Sequence, residues 1–326
     1  LAAMGVQLFK GYAGLEPVGY LLWWIVPGTI SGLQLAILAV FFQALSPNKY
    51  VGWGCLLVYL VASITLASMG FQHNLYNYGG NPGTPLSAFN GMAHFWIGKT
   101  WFDLYWGAFC VVLVILPTAC ASWGGTRLMP RINRFPRRMM GATGLVLASA
   151  LAAFAGLGGW IFYNTNVLNI YQSSVAGEES LANAEKALAQ YEEMPGPTIT
   201  DVKLNVNLRL KDRQADVTGS YVIENQTGAP LSRMIAALPD RSTVERASLS
   251  IPGVVVEKAW PDYNVTLYRF EKPMAAGEKR IVTFETTFGR KGFTNGSGQS
   301  RLIANGTFPD NFELTPILGV SRGNWM

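Results

Sequence analysis

The sequence predicts a membrane α-helical half with four transmembrane helices, followed by an all-β antiparallel half folded as a sandwich or a saddle-like sheet. Three observations carry this. The 326 residues are 50% hydrophobic and only 14% charged. The charge is unevenly placed: residues 1–162 hold 8 Lys/Arg against 2 Asp/Glu, net +6, and residues 163–326 hold 17 against 18, net −1. Finally, from residue 198 onward apolar residues alternate with polar ones, the period of a strand with one wet face.

In the first half, residues 17–47, 50–98, 104–126 and 139–177 contain no Asp, Glu, Lys or Arg. A spanning helix needs about 20 mostly apolar residues. The expected spans are 20–45, 50–71, 104–123 and 140–162. Four such runs leave no polar faces to cover them in water, so helices buried in a soluble core are disfavoured. The basic balance belongs to this half, which excludes a nucleic-acid footprint and leaves the lipid bilayer as the partner.

Orientation follows from the loop between the third and fourth spans. It carries Arg127, Arg131, Arg134, Arg137 and Arg138 and no acid. Short cytoplasmic loops collect such residues. This loop is therefore expected in the cytoplasm, residues 72–100 outside, and everything after Phe162 extracytoplasmic. Tyr20, Trp23, Trp53, Trp96, Trp101, Trp123, Trp160 and Tyr163 fall near span ends, as an interfacial aromatic belt does. In the fourth span Gly144, Ala148, Ala152 and Gly156 recur every four residues, a stripe of small side chains expected to serve as a helix-packing face.

Residues 163–197 read as a juxtamembrane linker. Within it, Leu181, Ala184, Leu188 and Tyr191 are spaced as one face of a short amphipathic helix, which MPGP at 194–197 ends. The third domain, 198–326, is the β half. Strands are expected at 198–210, 219–225, 233–238, 247–251, 254–260, 264–270 and 280–288, separated by turn signals such as TGAP, IPG and WPDYN.

The absences narrow the chemistry. No GxxxxGK[ST] is present, so the chain holds no phosphate-cradling ATPase loop, and no HExxH. The three cysteines, Cys55, Cys110 and Cys120, fall in expected spans, so the β half uses no disulfide. His73 and His94 lie 21 residues apart in the expected outer loop and do not make a three-ligand zinc site. With Asn74 and Asp103 they form the one polar group in this half that could be functional, although a solvated interfacial role is the expectation for Asp103. No catalytic, cofactor or metal residue is assigned.

Several motifs carry a resemblance. HNLYNYG (73–79), FNGMAHF (89–95) and LYW (104–106) look like the last spans of a type-two ABC exporter permease. IFYNTNVLNIY (161–171), YEEMPGPTITDVKLNVNL (191–208), GSYVIENQTGAPL (219–231), KGFTN (291–295) and ANGTFPDN (304–311) resemble bacterial proteins in which such a permease is fused to an aminopeptidase N-like zinc metallopeptidase. FELTPILGV (312–320) departs somewhat from the aromatic-rich ending of that pattern. The resemblance implies a multi-pass protein of the bacterial inner membrane, with the β half as the peptidase's periplasmic N-terminal domain. Zinc would belong only to a downstream catalytic domain. The implied partners are that domain, the other helices of the permease and a separate ATP-binding subunit. The start at Leu1 and the end at Met326 fit a fragment of such a fusion. Two other functions remain open: a non-enzymatic membrane-anchored β module that binds a protein, and a transporter subunit whose β domain receives cargo.

Overall fold

The computed structural model describes residues 2–11, 17–86, 91–92, 94–120, 141–239, 244–289, 291–296, 302–303, 306–307 and 311–320. The five arginines of the basic loop lie outside the described residues. The chain divides into two compact units, Leu1–Phe162 with Asn295–Ser297, and Tyr163–Thr294 with Gly298–Met326.

The first unit is helical. A short helix α1 (Ala2–Phe9) precedes α2 (Pro17–Tyr20), a π turn and α3 (Val26–Leu45). Then come α4 (Lys49–Ser68), α5 (Phe95–Cys120) and α6 (Ala142–Phe162). Among the described residues four stretches are long and apolar enough to cross a membrane: Pro17–Leu45, Lys49–Ser68, Phe95–Pro117 and Ala142–Val167. The protein is thus membrane-embedded, with a β domain following its helices. Helix α4 is delimited by local chemistry. The Asn48 side chain accepts from Tyr50 N and Val51 N at its start. At its end Gly70 takes φ +96°, and Gly70 N and Phe71 N return to the carbonyls of Ala67 and Leu66.

One expectation for these helices needs correction. The third span begins at Phe95, nine residues before the expected Leu104. Lys99 and Asp103 do not interrupt the apolar run: they stand four apart on one helix face, and their 2.7 Å ion pair neutralises both. In α6 the stripe of small residues lies away from the contacts that the described residues of this unit make. Ala148, Ala152 and Gly156 are exposed, and a Cβ at Gly156 would meet nothing within 4 Å. The helix packs on α5 through Phe154, which stacks on Tyr105 at 4.3 Å and approaches Phe109 at 5.0 Å, and through Gly158, tight against the Tyr105 ring. Large aromatic contacts, with Ala150 and Ile161 buried beside them, decide the packing face here.

The second unit holds α7 (Ser174–Leu188), capped by the Ser173 side chain, and, among the described residues, ten strands. The seven long ones are β1 (Thr198–Arg209), β2 (Gln214–Glu224), β3 (Leu231–Ala237), β4 (Val244–Ser250), β5 (Val254–Trp260), β6 (Val265–Met274) and β7 (Lys279–Gly289). Each overlaps an expected strand, although β2 begins five residues and β4 three residues earlier than expected. Short strands β8 (Leu302–Ile303), β9 (Gly306–Thr307) and β10 (Ile317–Leu318) follow. The first sheet has the order β1-β2-β7-β4 and the second β10-β3-β6-β5, with all pairs antiparallel. Tyr221, Ile223, Val282 and Phe284 of the first sheet share one core with Leu231, Met234, Phe270 and Met274 of the second, so the two form a sandwich. The far side of the second sheet packs Ile235, Val265 and Leu267 against Leu188 of α7. The amphipathic helix is therefore a third layer, buried through Ala184 and Leu188, while Leu181 stays exposed.

Strand β1 departs from the expected half-buried pattern. The register sets Val202, Leu204, Val206 and Leu208 beside Tyr221, Gly219, Val217 and Ala215, on the face the rest of the sheet buries. Yet these four are 47%, 36%, 39% and 43% exposed. The sandwich core takes in Ile199 and Leu210 at the two ends of β1 but not the row between them.

Candidate functional site within the membrane unit

The connection after α4 does not stay at the helix ends. Tyr78 reaches between the spans: its hydroxyl donates to the Gln34 carbonyl at 2.8 Å and lies 3.1 Å from Cys110 Sγ. Its ring meets Trp106 at 5.2 Å and Phe109 at 6.0 Å. Gln34 is the 18th residue of the 29-residue stretch Pro17–Leu45, and Cys110 is the 16th of the 23 in Phe95–Pro117. Tyr78 thus sits near mid-span. Residues 70–82 are a re-entrant segment, and non-helical backbone at that depth persists only where protein encloses it.

Helix α5 supplies the enclosure. It is the central helix, with 39% of its most apolar window buried against 6–11% for the other three. Trp106 Nε1 donates to the Gly80 carbonyl at 3.0 Å, and Tyr105 Oη to the Leu75 carbonyl at 2.8 Å. Positions 99, 103, 106 and 110 fall on one face of this helix at spacings of four, three and four. The Lys99–Asp103 pair, Trp106 and Cys110 therefore form a polar file along it. The pair is well enclosed, with side chains 10% and 15% exposed. Gly79, at φ +73°, lies against Gln34, where a Cβ would come within 3.2 Å of Oε1. Of the side-chain acceptors buried with no hydrogen-bond partner among the described residues, Gln34 Oε1 and Asp103 Oδ1 lie here, and Gln7 Oε1 lies on α1.

The structure separates the sequence candidates. Asp103 lies inside α5, paired and mostly enclosed, where a solvated interfacial residue was expected. His73 is buried against Phe102 and Tyr76, and its Nδ1 accepts from Leu75 N at 3.1 Å, so it stabilises the turn. The His94 ring lies tilted against Phe95, 4.3 Å between centroids. Asn74 bonds Asn295, which belongs to the same compact unit, through N–H···Oδ1 at 2.9 Å and Nδ2–H···O at 2.8 Å. The residues that sequence reasoning missed are Gln34, Tyr78 and Lys99. A lone Gln inside an apolar run and a Lys four before an Asp were the available signals. HNLYNYG and LYW do come together, through Leu75, Tyr105 and Trp106.

The β unit holds a mixed pocket of about 540 Å³ lined by Asn169, Ile170, Pro239, Glu245 and Lys291, among others. Lys291 Nζ reaches Glu245 Oε1 at 2.6 Å and Gln214 Nε2 donates to Oε2 at 3.0 Å. The Lys291 hydrogen bond holds the Glu245 carboxyl below the usual carboxylate range. Glu245 is therefore a fixed anion rather than a base poised near neutrality. Nearby, Asn169 Nδ2 donates to the Lys291 carbonyl at 2.9 Å, which joins the 161–171 and 291–295 motifs. Burial pushes the Tyr221 phenol up, and its hydroxyl donates to the Pro316 carbonyl at 2.9 Å. Among the described residues no three His, Cys, Asp or Glu side chains group as metal ligands. No protein-family model matches the chain, and no curated protein matches it either.

Proposed function

We propose that this chain is a permease segment of a type-two ABC exporter joined to the N-terminal β domain of an aminopeptidase N-like zinc metallopeptidase, in a bacterial inner membrane with the β unit periplasmic. The observation that carries the transport reading is the polar file on α5 and the re-entrant segment held against it. Ionisable and amide groups enclosed among spans are costly, and they characteristically line solute or ion paths. An anchor helix requires no such groups. The β unit supports the second half of the reading by its two-sheet form. Zinc would be bound by the downstream catalytic domain and ATP by a separate subunit, neither of them through residues described above.

The test is co-reconstitution with an exporter-type ATP-binding subunit in lipid vesicles. The expected result is a stable complex whose ATP hydrolysis rises on assembly, a rise that Asp103→Asn reduces while the complex still forms. Absence of a complex, or full activity in D103N, overturns the transport reading. Coding sequence that continues in frame to an HExxH is expected from the peptidase reading, and a stop codon soon after Met326 overturns it.

A further inference from the structure

We propose that the free edge of β1 is a contact surface for a second copy of this chain, with the two β1 strands pairing antiparallel about Asn205. The inference does not depend on the exporter reading. Strand β1 stands at the end of the order β1-β2-β7-β4, so among the described residues no strand pairs with the backbone N–H and C=O groups of its outer edge. Its ladder to β2 shifts register between Ile199 and Asp201 and is regular over 201–209, a nine-residue run centred on Asn205. On the face that continues the sandwich core, Val202, Leu204, Val206 and Leu208 stand 36–47% exposed. A long regular edge with an uncovered apolar row is a surface built for strand addition.

The charges select the occupant. Asp201 lies four residues before Asn205 and Arg209 four after it. Antiparallel pairing about Asn205 sets Asp201 of one copy opposite Arg209 of the other, twice per dimer. Lys203 then faces Asn207, so no like charges meet. The apolar row completes itself as well, with Val202 opposite Leu208 and Leu204 opposite Val206. Arg209 already contacts Asp216 at 3.0 Å, with both side chains near 40% exposed, and its guanidinium has donors to spare for a second carboxylate. One strand thus carries both halves of a self-complementary edge, the condition for a twofold interface. A partner of different sequence would need no such symmetry about one residue.

The test uses the full chain in lipid vesicles, with an N205C variant oxidised and read on a non-reducing gel. Directly opposed residues of an antiparallel pair lie about 4.5–5.5 Å apart at Cα, within disulfide reach. In an N207C variant the two substituted positions lie about 14 Å apart, beyond it. The expected result is a covalent homodimer from N205C, with N207C remaining at the background set by the native cysteines. D201R places like charges opposite each other twice and should weaken dimerisation about 2- to 30-fold, and D201R/R209D should restore it. V206E, which puts a charge into the seam, should abolish it. Equal crosslinking of N205C and N207C overturns the proposal, as does failure of the charge swap to restore dimers. Capture of a different protein by N205C, in place of a second copy, also overturns it.

Discussion

Replacing Lys99 should cost more than replacing Asp103, and replacing both should cost less than either. The pair is joined at 2.7 Å with side chains 10% and 15% exposed, so each ion depends on the other for solvation. Removing one partner of such a pair leaves an uncompensated enclosed charge, at a cost of about 3–5 kcal/mol. The two ends differ in reach. Lys99 is the fifth residue of α5, about 6 Å from its start, and a freed ammonium on a four-carbon stem can extend toward the interface. Asp103 is the ninth, about 12 Å in, on a side chain too short to do so. Asp103→Leu should therefore fall at or below the low end of that range and Lys99→Met near its top. The double substitution, with apolar groups of similar volume, should return to within about 1 kcal/mol of the parent. The assay is unfolding of the full chain in mixed micelles with rising SDS fraction, read by helical circular dichroism across the four chains of a double-mutant cycle. A double variant that loses the sum of the two single losses would mean that the residues act independently. An Asp103→Leu loss exceeding that of Lys99→Met would refute the argument from reach.

Three further outcomes are expected in the β unit. Gly219→Val should destabilise it by about 1–3 kcal/mol in thermal unfolding, because a Cβ there would lie 2.8 Å from both Leu204 Cδ2 and the Lys203 carbonyl and closer still to Phe284. An unchanged melt would mean that the sheet relaxes freely. Tyr221→Phe strands the buried Pro316 carbonyl and should cost about 1–2 kcal/mol, a loss that a denaturant midpoint would register. Glu245 titrates lower folded than unfolded, so its contribution is complete above its ordinary value of 4.5 and is lost as pH falls through the folded value. Melting temperature followed from pH 6 to about 3 should therefore decline less steeply in Glu245→Gln, and parallel curves would count against the Lys291 interaction.

The β half was legible because its information is local. Period-two alternation marks β1, β2, β6 and β7, a short apolar run marks β3, and the turn signals mark the ends. WPDYN is one such signal: the hairpin between β5 and β6 turns through a 3-10 segment into Asn264 at φ +55°, a conformation asparagine tolerates. The hairpin between β1 and β2 turns the same way through Arg213, also at φ +55°, and nothing in an arginine announces that. The exposure of β1 was not legible either. Alternation reports which residues share a face, not whether a facing sheet extends far enough to cover them.

The membrane half was legible in its spans and not in what lies between them. HNLYNYGG is polar enough to read as a loop in water. What draws it inward is a set of acceptors that no side chain advertises, the backbone carbonyls of Gln34, Leu75 and Gly80. Aromatic donors on α5 and on the segment itself satisfy those carbonyls, and the cost of enclosing irregular backbone is met internally. The same accounting leaves Gln34 Oε1 and Asp103 Oδ1 unmatched among the described residues. They stand on two different helices, α3 and α5, one beside Gly79 of the re-entrant segment and one in the file that leads to it. That placement sets both groups around the irregular segment 70–82, which no periodicity in the sequence marks.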